Sequence, residues 1–174
     1  VVTGGNKGIG LGMVEALAAS NADVVIWGRK TADNDAAVKK ASGLGTGKVK
    51  AWVVDVGEED QVVKAMKEAE EEFKRIDCCI ANAGVGKGAP AFEQMTIETW
   101  RYNERINAEG AFFTLREAAK SMVARAKAGD PGGSLVGTAS LAGIEGAGRN
   151  QAYAHTKGGL IAMMNACAVE YGRY

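Results

Sequence analysis

The chain has 174 residues, 47% of them hydrophobic, with 21 acidic side chains balancing 21 basic ones. That length fits one domain, and zero net charge without a long basic run argues against nucleic acid or anionic lipid as a partner. No apolar stretch is long enough to cross a bilayer, no secretory leader opens the chain, and three cysteines make no disulfide framework, so a cytoplasmic protein with free thiols is expected.

The chain opens Val1-Val2 and runs into Thr3-Gly4-Gly5-Asn6-Lys7-Gly8-Ile9-Gly10. The β-branched pair predicts a short strand and the glycines a tight turn. Ile9, Met13, Val14 and Leu17 recur at helical spacing and predict a helix that buries them on one face. Strand, glycine turn and helix together can receive a pyrophosphate. Glycine lets the backbone approach the phosphates, and the helix N-terminus offers unpaired N–H groups. An ordinary βα turn would read the same.

Ala22 to Trp27 reads as a buried second strand, ending at Gly28-Arg29-Lys30. In dinucleotide folds an acid at this strand end holds the adenosine ribose hydroxyls, whereas arginine accommodates a 2′-phosphate. Here the acid is missing. Arg29 and Lys30, with Lys7 in the glycine turn, favour NADP(H) over NAD(H). Solvated loop charges are the plainer alternative for Arg29 and Lys30.

Lys48 to Val54 predicts a third strand, ending at Asp55. Glu58 to Lys74 predicts a helix with Val62, Met66, Ala69 and Phe73 as its apolar stripe. Ile76 to Ala81 is a fourth strand, followed by Asn82-Ala83-Gly84 and a loop with Gly86, Gly88 and Pro90. A long helix then runs from about Thr96 to about Lys127 and carries Asn107. Gly132 to Ala139 is a fifth strand, ending at Ser140. A last helix begins near Asn150 and carries Tyr153 and Lys157. Cys78 and Cys79 are neighbours on a strand, point to opposite faces and so do not pair.

This order implies an α/β fold: a Rossmann-type doubly wound parallel sheet with helices on both faces and right-handed crossovers, in a single domain over residues 1–174. Ligands of such sheets bind outside the carboxyl ends of the strands. The glycine turn, Arg29, Asp55, Asn82 and Ser140 all follow strand ends. Tyr153 and Lys157 are four apart, so on a helix they share a face. An ammonium beside a phenol favours the phenolate, which lets such a pair exchange a proton near neutral pH.

Thr3-Gly-Gly-Asn-Lys-Gly-Ile-Gly10, Asp55, Asn82-Ala-Gly84, Asn107, Ser140 and Tyr153-x-x-x-Lys157 together resemble the short-chain dehydrogenase/reductases, in the short rather than the extended branch. The resemblance implies a catalytic set. Tyr153 would be the general acid/base and Ser140 would orient the reacting oxygen. Lys157 would bind the nicotinamide ribose and favour the tyrosinate, and Asn107 would hold a relay water. It also implies cofactor contacts: Thr3, Gly4, Asn6, Lys7, Gly8, Ile9 and Gly10 around the phosphates and adenosine ribose, Asp55 and Val56 at the adenine, and Asn82, Ala83 and Gly84 along the inner ribose.

The expected activity is interconversion of a ketone, 3-oxoacyl groups included, with a secondary alcohol. A small-molecule carbonyl or alcohol is then the partner, no metal is involved, and pairing of the long and last helices gives a homodimer or homotetramer. A non-catalytic dinucleotide-binding module is the alternative; an epimerase, dehydratase or enoyl reductase is the third reading. Taken singly, Asn82 could link strands, Asn107 could bend its helix, Ser140 could cap a strand and His155 could be structural or solvated. Family members continue into further strands, so both ends are expected to be incomplete, with the fifth strand left as an open edge.

Overall fold

The computed structural model describes residues 1–174. Its elements are β1 (Val2–Thr3), α1 (Gly8–Ala19), β2 (Val24–Gly28), α2 (Thr31–Ala41), β3 (Val49–Val53), α3 (Glu59–Phe73), β4 (Cys78–Ala81), α4 (Ile97–Asn103), α5 (Gly110–Lys127), β5 (Ser134–Gly137), α6 (Ala142–Glu145) and α7 (Gln151–Tyr171). All five strands are parallel, in the order β3-β2-β1-β4-β5. The chain winds outward through β2 and β3, then returns to pair β4 on the other side of β1. A crevice opens where the order reverses, between the carboxyl ends of β1 and β4. β5 is an edge, as expected.

Strand alternation divides the core. Val24 and Ile26 of β2 pack with Val14, Ala18, Ala37 and Ala41 of α1 and α2. Val25 and Trp27 point the other way and pack with Val62 and Met66 of α3 and Ala118 and Met122 of α5. Ala81 meets Ala111 and Leu115 of α5 and Leu160 of α7. Cys79 is buried on the α5 side while Cys78 lies against the opposite cluster, and all three thiols are free. Burial pushes the Cys79 thiol up to about 12, so it is inert at neutral pH. No helix is long and apolar enough to cross a membrane.

Three elements depart from the sequence reading. Ile9 is 70% exposed, and the face of α1 that meets the sheet is Gly10, Val14 and Ala18. Only small residues fit where the helix leaves the glycine turn. α2 has no counterpart in the hydropathy pattern, because its buried face is Asn34, Ala37 and Ala41. The long helix expected from Thr96 to Lys127 is broken by a π-turn at Glu104–Glu109, and Asn107 sits inside it. Such turns insert one residue into a helix and redirect the side chains they carry.

Candidate active site

The glycine turn is shaped by close approach. Gly4 and Gly8 have φ of 63° and 55°, the left-handed region that glycine enters without strain. At Gly10 a Cβ would sit 2.3 Å from the Gly4 carbonyl oxygen and 2.5 Å from Asn82 Nδ2. α1 begins here with Lys7 in extended conformation, no side-chain cap and no acidic residue in its first turn. The positive end of the helix is therefore unclaimed, and a Cβ at Gly8 would meet nothing within 4 Å. This cradle fits a pyrophosphate.

Thr3 lies under the cradle rather than in it. It is 1% exposed, and its hydroxyl accepts from the backbone N–H groups of Asn82 (3.0 Å) and Ala83 (2.9 Å). Asn82 Nδ2 donates to the Thr3 carbonyl at 3.0 Å. These bonds lock the ends of β1 and β4 on either side of the crevice. A third link escaped sequence reasoning. Asn34 of α2, 2% exposed, accepts from Asn6 Nδ2 at 2.8 Å and donates to the carbonyls of Gly28 and Trp52. It fastens the glycine turn to β2 and β3.

Beside the turn lies a cleft of about 170 Å³. It gathers Gly4, Asn6, Lys7, Arg29, Lys30, Asp55, Val56, Ala83 and Gly84 from the residues expected around the cofactor, and adds Asp33. Gly8, Ile9, Gly10 and Asn82 are not in its wall. Gly28 is tight at its rim: a Cβ there would fall 2.2 Å from Asn6 Nδ2 and would have to displace the Asn6–Asn34 pair.

Of the other expected residues, Tyr153, Lys157 and Asn107 gather around the segment that follows β4. Tyr153 and Lys157 lie on the first two turns of α7, with Lys157 Nζ 5.8 Å from the Tyr153 ring centroid. Lys157 is 4% exposed, and its ammonium donates to the Thr138 carbonyl, just past β5, at 2.6 Å. Gly84 abuts two of these residues: a Cβ there would stand 3.3 Å from Asn107 Oδ1 and 3.6 Å from Lys157 Nζ. Ser140 follows β5, and its hydroxyl accepts from the Ala142 N–H at 3.2 Å. That turn leads into α6, whose Gly143 presses on α7 at Lys157 and Gly158.

The loop after β4 is held by two asparagines on successive turns of one helix. Asn107 clasps Val85, accepting from its N–H and donating to its carbonyl, both at 2.8 Å. Asn103 does the same to Lys87, at 3.3 and 2.9 Å. The second amide hydrogen of Asn107 goes to Thr156 Oγ1 at 3.1 Å, which ties the π-turn to α7. The clamp carries Gly86 past Tyr153, whose Cδ2 is 3.9 Å from where a Cβ would be. His155, between the two motif residues, faces away. It bonds Glu104 at 2.7 Å and stacks on Trp100 at 4.9 Å.

Burial holds the Lys157 ammonium below the ordinary lysine value of 10.5. The unfolded chain therefore binds that proton more tightly than the folded one. The resulting penalty on folding is complete below the folded-state pKa and fades as pH rises toward 10.5. Thermal melts of wild type and Lys157→Met at successive pH values should show the difference in Tm moving in favour of wild type through that window. A difference that stays flat would contradict it.

A sequence model of the family described as short chain dehydrogenase matches residues 1–174. The chain is 34% identical to levodione reductase of Leifsonia aquatica over 178 aligned residues, covering 100% of this chain and 64% of that protein. Among solved structures it resembles an NAD+-bound xylitol dehydrogenase, with a TM-score of 0.92 and 26% identity over 99% of this chain and 64% of that one. It also resembles a metagenomic short-chain oxidoreductase in complex with NADP, with a TM-score of 0.90 and 27% identity over 99% of this chain and 75% of that one. The chain spans about two thirds of the length of most of the curated relatives it matches. With a match that runs from its first residue to its last, the chain belongs to the short-chain dehydrogenase family.

Proposed function

We propose that the protein is an NADP(H)-dependent oxidoreductase that interconverts a ketone, 3-oxoacyl groups included, with a secondary alcohol. One observation carries this reading. Lys157 and Asn107 meet at Gly84, with the Tyr153 ring 5.8 Å from the Lys157 ammonium, at the inner end of the cleft whose outer end holds Lys7, Arg29 and Lys30. A dinucleotide bound along that cleft supplies the hydride.

The chain's own residues handle the proton. The Tyr153 hydroxyl gives a proton to the carbonyl oxygen in reduction and takes it back in oxidation. Ser140 donates a hydrogen bond to the same oxygen and fixes its direction. Lys157, anchored on the Thr138 carbonyl, holds the inner ribose hydroxyls and keeps a positive charge beside the Tyr153 ring. Both amide hydrogens of Asn107 are spent on Val85 and Thr156, so a relay water beside it draws on the remaining lone pair of Oδ1. Asn6, Lys7 and the α1 N-terminus take the phosphates. Arg29 takes the 2′-phosphate, and Asp55 and Val56 border the adenine. Association into a homodimer or homotetramer through α5 and α7, and a cytoplasmic setting, belong to the same reading.

The test is a panel of ketones and 3-oxoacyl thioesters offered with NADPH. Product masses two hydrogens heavier than substrate support the proposal. Tight cofactor binding with no transfer across the panel would leave a dinucleotide-binding module instead. The cofactor preference has its own check in Arg29→Asp. Exchanging a cation for an anion removes a charge-assisted bond and adds repulsion. NADPH affinity should fall roughly tenfold or more while NADH affinity holds. An unchanged ratio would remove Arg29 as the discriminator.

A further inference from the structure

Asp55 at the rim of the cleft is shared by two guanidinium groups. Arg105 Nη2 donates to its Oδ2 at 3.3 Å, and Arg29 Nη1 stands 4.0 Å from the same oxygen. The other oxygen accepts from the Gly57 N–H at 3.0 Å. Arg29 and Asp55 line the cleft, whereas Arg105 reaches Asp55 from behind it. Arg105 belongs to the π-turn, two residues before Asn107. Its position is fixed on two further sides. Nη1 donates to Glu58 Oε1 at 2.7 Å, and the guanidinium lies on Gly57, where a Cβ would come within 2.6 Å of Nη1. Its side chain is 33% exposed, against 54% for Arg29.

A carboxylate left bare at this rim would act on a 2′-phosphate twice. It would repel the phosphate directly, and it would tighten the loose 4.0 Å ion pair it makes with Arg29. The cation that should meet the phosphate would then be spent on Asp55. We propose that Arg105 is a specificity-determining positioning residue. By holding and neutralising Asp55 from behind, it leaves Arg29 free for the 2′-phosphate. This inference rests on the NADP(H) reading above. Neither proximity in sequence nor a motif marks Arg105. The pairing spans 50 residues and exists only once the π-turn has swung the side chain over Gly57.

The experiment is equilibrium titration of the protein with NADPH and with NADH, and the readout is the ratio of the two dissociation constants. Both ligands share every contact except the 2′-phosphate, so a structural defect in the pocket moves both and leaves the ratio in place. Arg105→Gln should weaken NADPH by about fivefold, the worth of one unit-charge interaction near 4 Å in water, with NADH changed far less. Arg105→Lys keeps the charge and should recover most of the ratio. In an Asp55→Asn background the rim carboxylate is gone and only Glu58, outside the cleft wall, loses its partner, so Arg105→Gln should move the ratio far less than it does with Asp55 in place.

A wild type that prefers NADPH and keeps its ratio in Arg105→Gln overturns the inference while the NADP(H) reading stands. Equal loss of both cofactors in the Gln and Lys variants overturns it too, because the role is then structural. A wild type with no preference sinks both.

Discussion

Tyr153→Phe is expected to lower the rate of hydride transfer by about 10²–10⁴-fold while leaving cofactor affinity and Tm where they were. The substitution removes one oxygen and nothing else. The ring keeps its place one turn from Lys157, whose ammonium is anchored on Thr138 and does not depend on the phenol. Thr156 donates to the backbone carbonyl of residue 153, so the start of α7 keeps that bond too. What disappears is the hydroxyl proposed to pass a proton to the substrate oxygen. Single-turnover measurements with saturating NADPH separate this loss from binding. If transfer proceeds at the wild-type rate, the proton has another source and the role given to Tyr153 falls, even though the fold and the cofactor cleft would stand.

The second large effect is expected at Gly10. In Gly10→Ala the new methyl would lie 2.3 Å from a carbonyl oxygen and 2.5 Å from the Asn82 amide, both parts of the locked junction between β1 and β4. Neither neighbour is a flexible side-chain end that can swing aside. Overpacking of this kind costs about 1–3 kcal/mol, and each kcal/mol lowers Tm by roughly 2–4 °C in a chain of this size. Because the yielding atoms belong to the glycine turn, affinity for either cofactor should fall with stability. Gly12→Ala is the control. That glycine lies in the same helix with nothing within 4 Å of a Cβ, so the alanine should stabilise by up to about 1 kcal/mol through helix propensity alone. Equal melting temperatures for the two variants would mean that the close crossing at Gly10 does not govern the turn.

The sheet was readable from the chain because its strands are short, largely apolar runs followed by polar or glycine residues. Arg29, Asp55, Asn82 and Ser140 fall past those ends in the structure as in the sequence. The pairing of Tyr153 with Lys157 was readable too, since residues four apart share a helix face whatever surrounds them. What stayed hidden has two physical causes. α2 buries two alanines and an asparagine, so it leaves no hydropathy stripe. The π-turn begins at Glu104 without a proline or glycine to mark it, and the apolar spacing on either side reads as one continuous helix. With it went Arg105, and the grip of Asn103 and Asn107 on the loop. Ile9 shows the opposite failure. Periodicity placed it in the core, but a helix leaving a glycine turn must first cross the sheet through Gly10.

The paired asparagines hold the segment after β4 entirely through its main chain. Every bond they make to Val85 and Lys87 ends on an N–H or a carbonyl, groups that all residues except proline present alike. Val85 also packs its side chain against the core, but Lys87 is exposed, and exchange of that side chain leaves the scaffold standing. The surface at Lys87 can therefore be recoloured without renegotiating its shape. An architecture anchored in this way gives evolution, or a combinatorial library, a stretch of wall that can explore new chemistries while the Tyr153 and Lys157 pair behind it stays still.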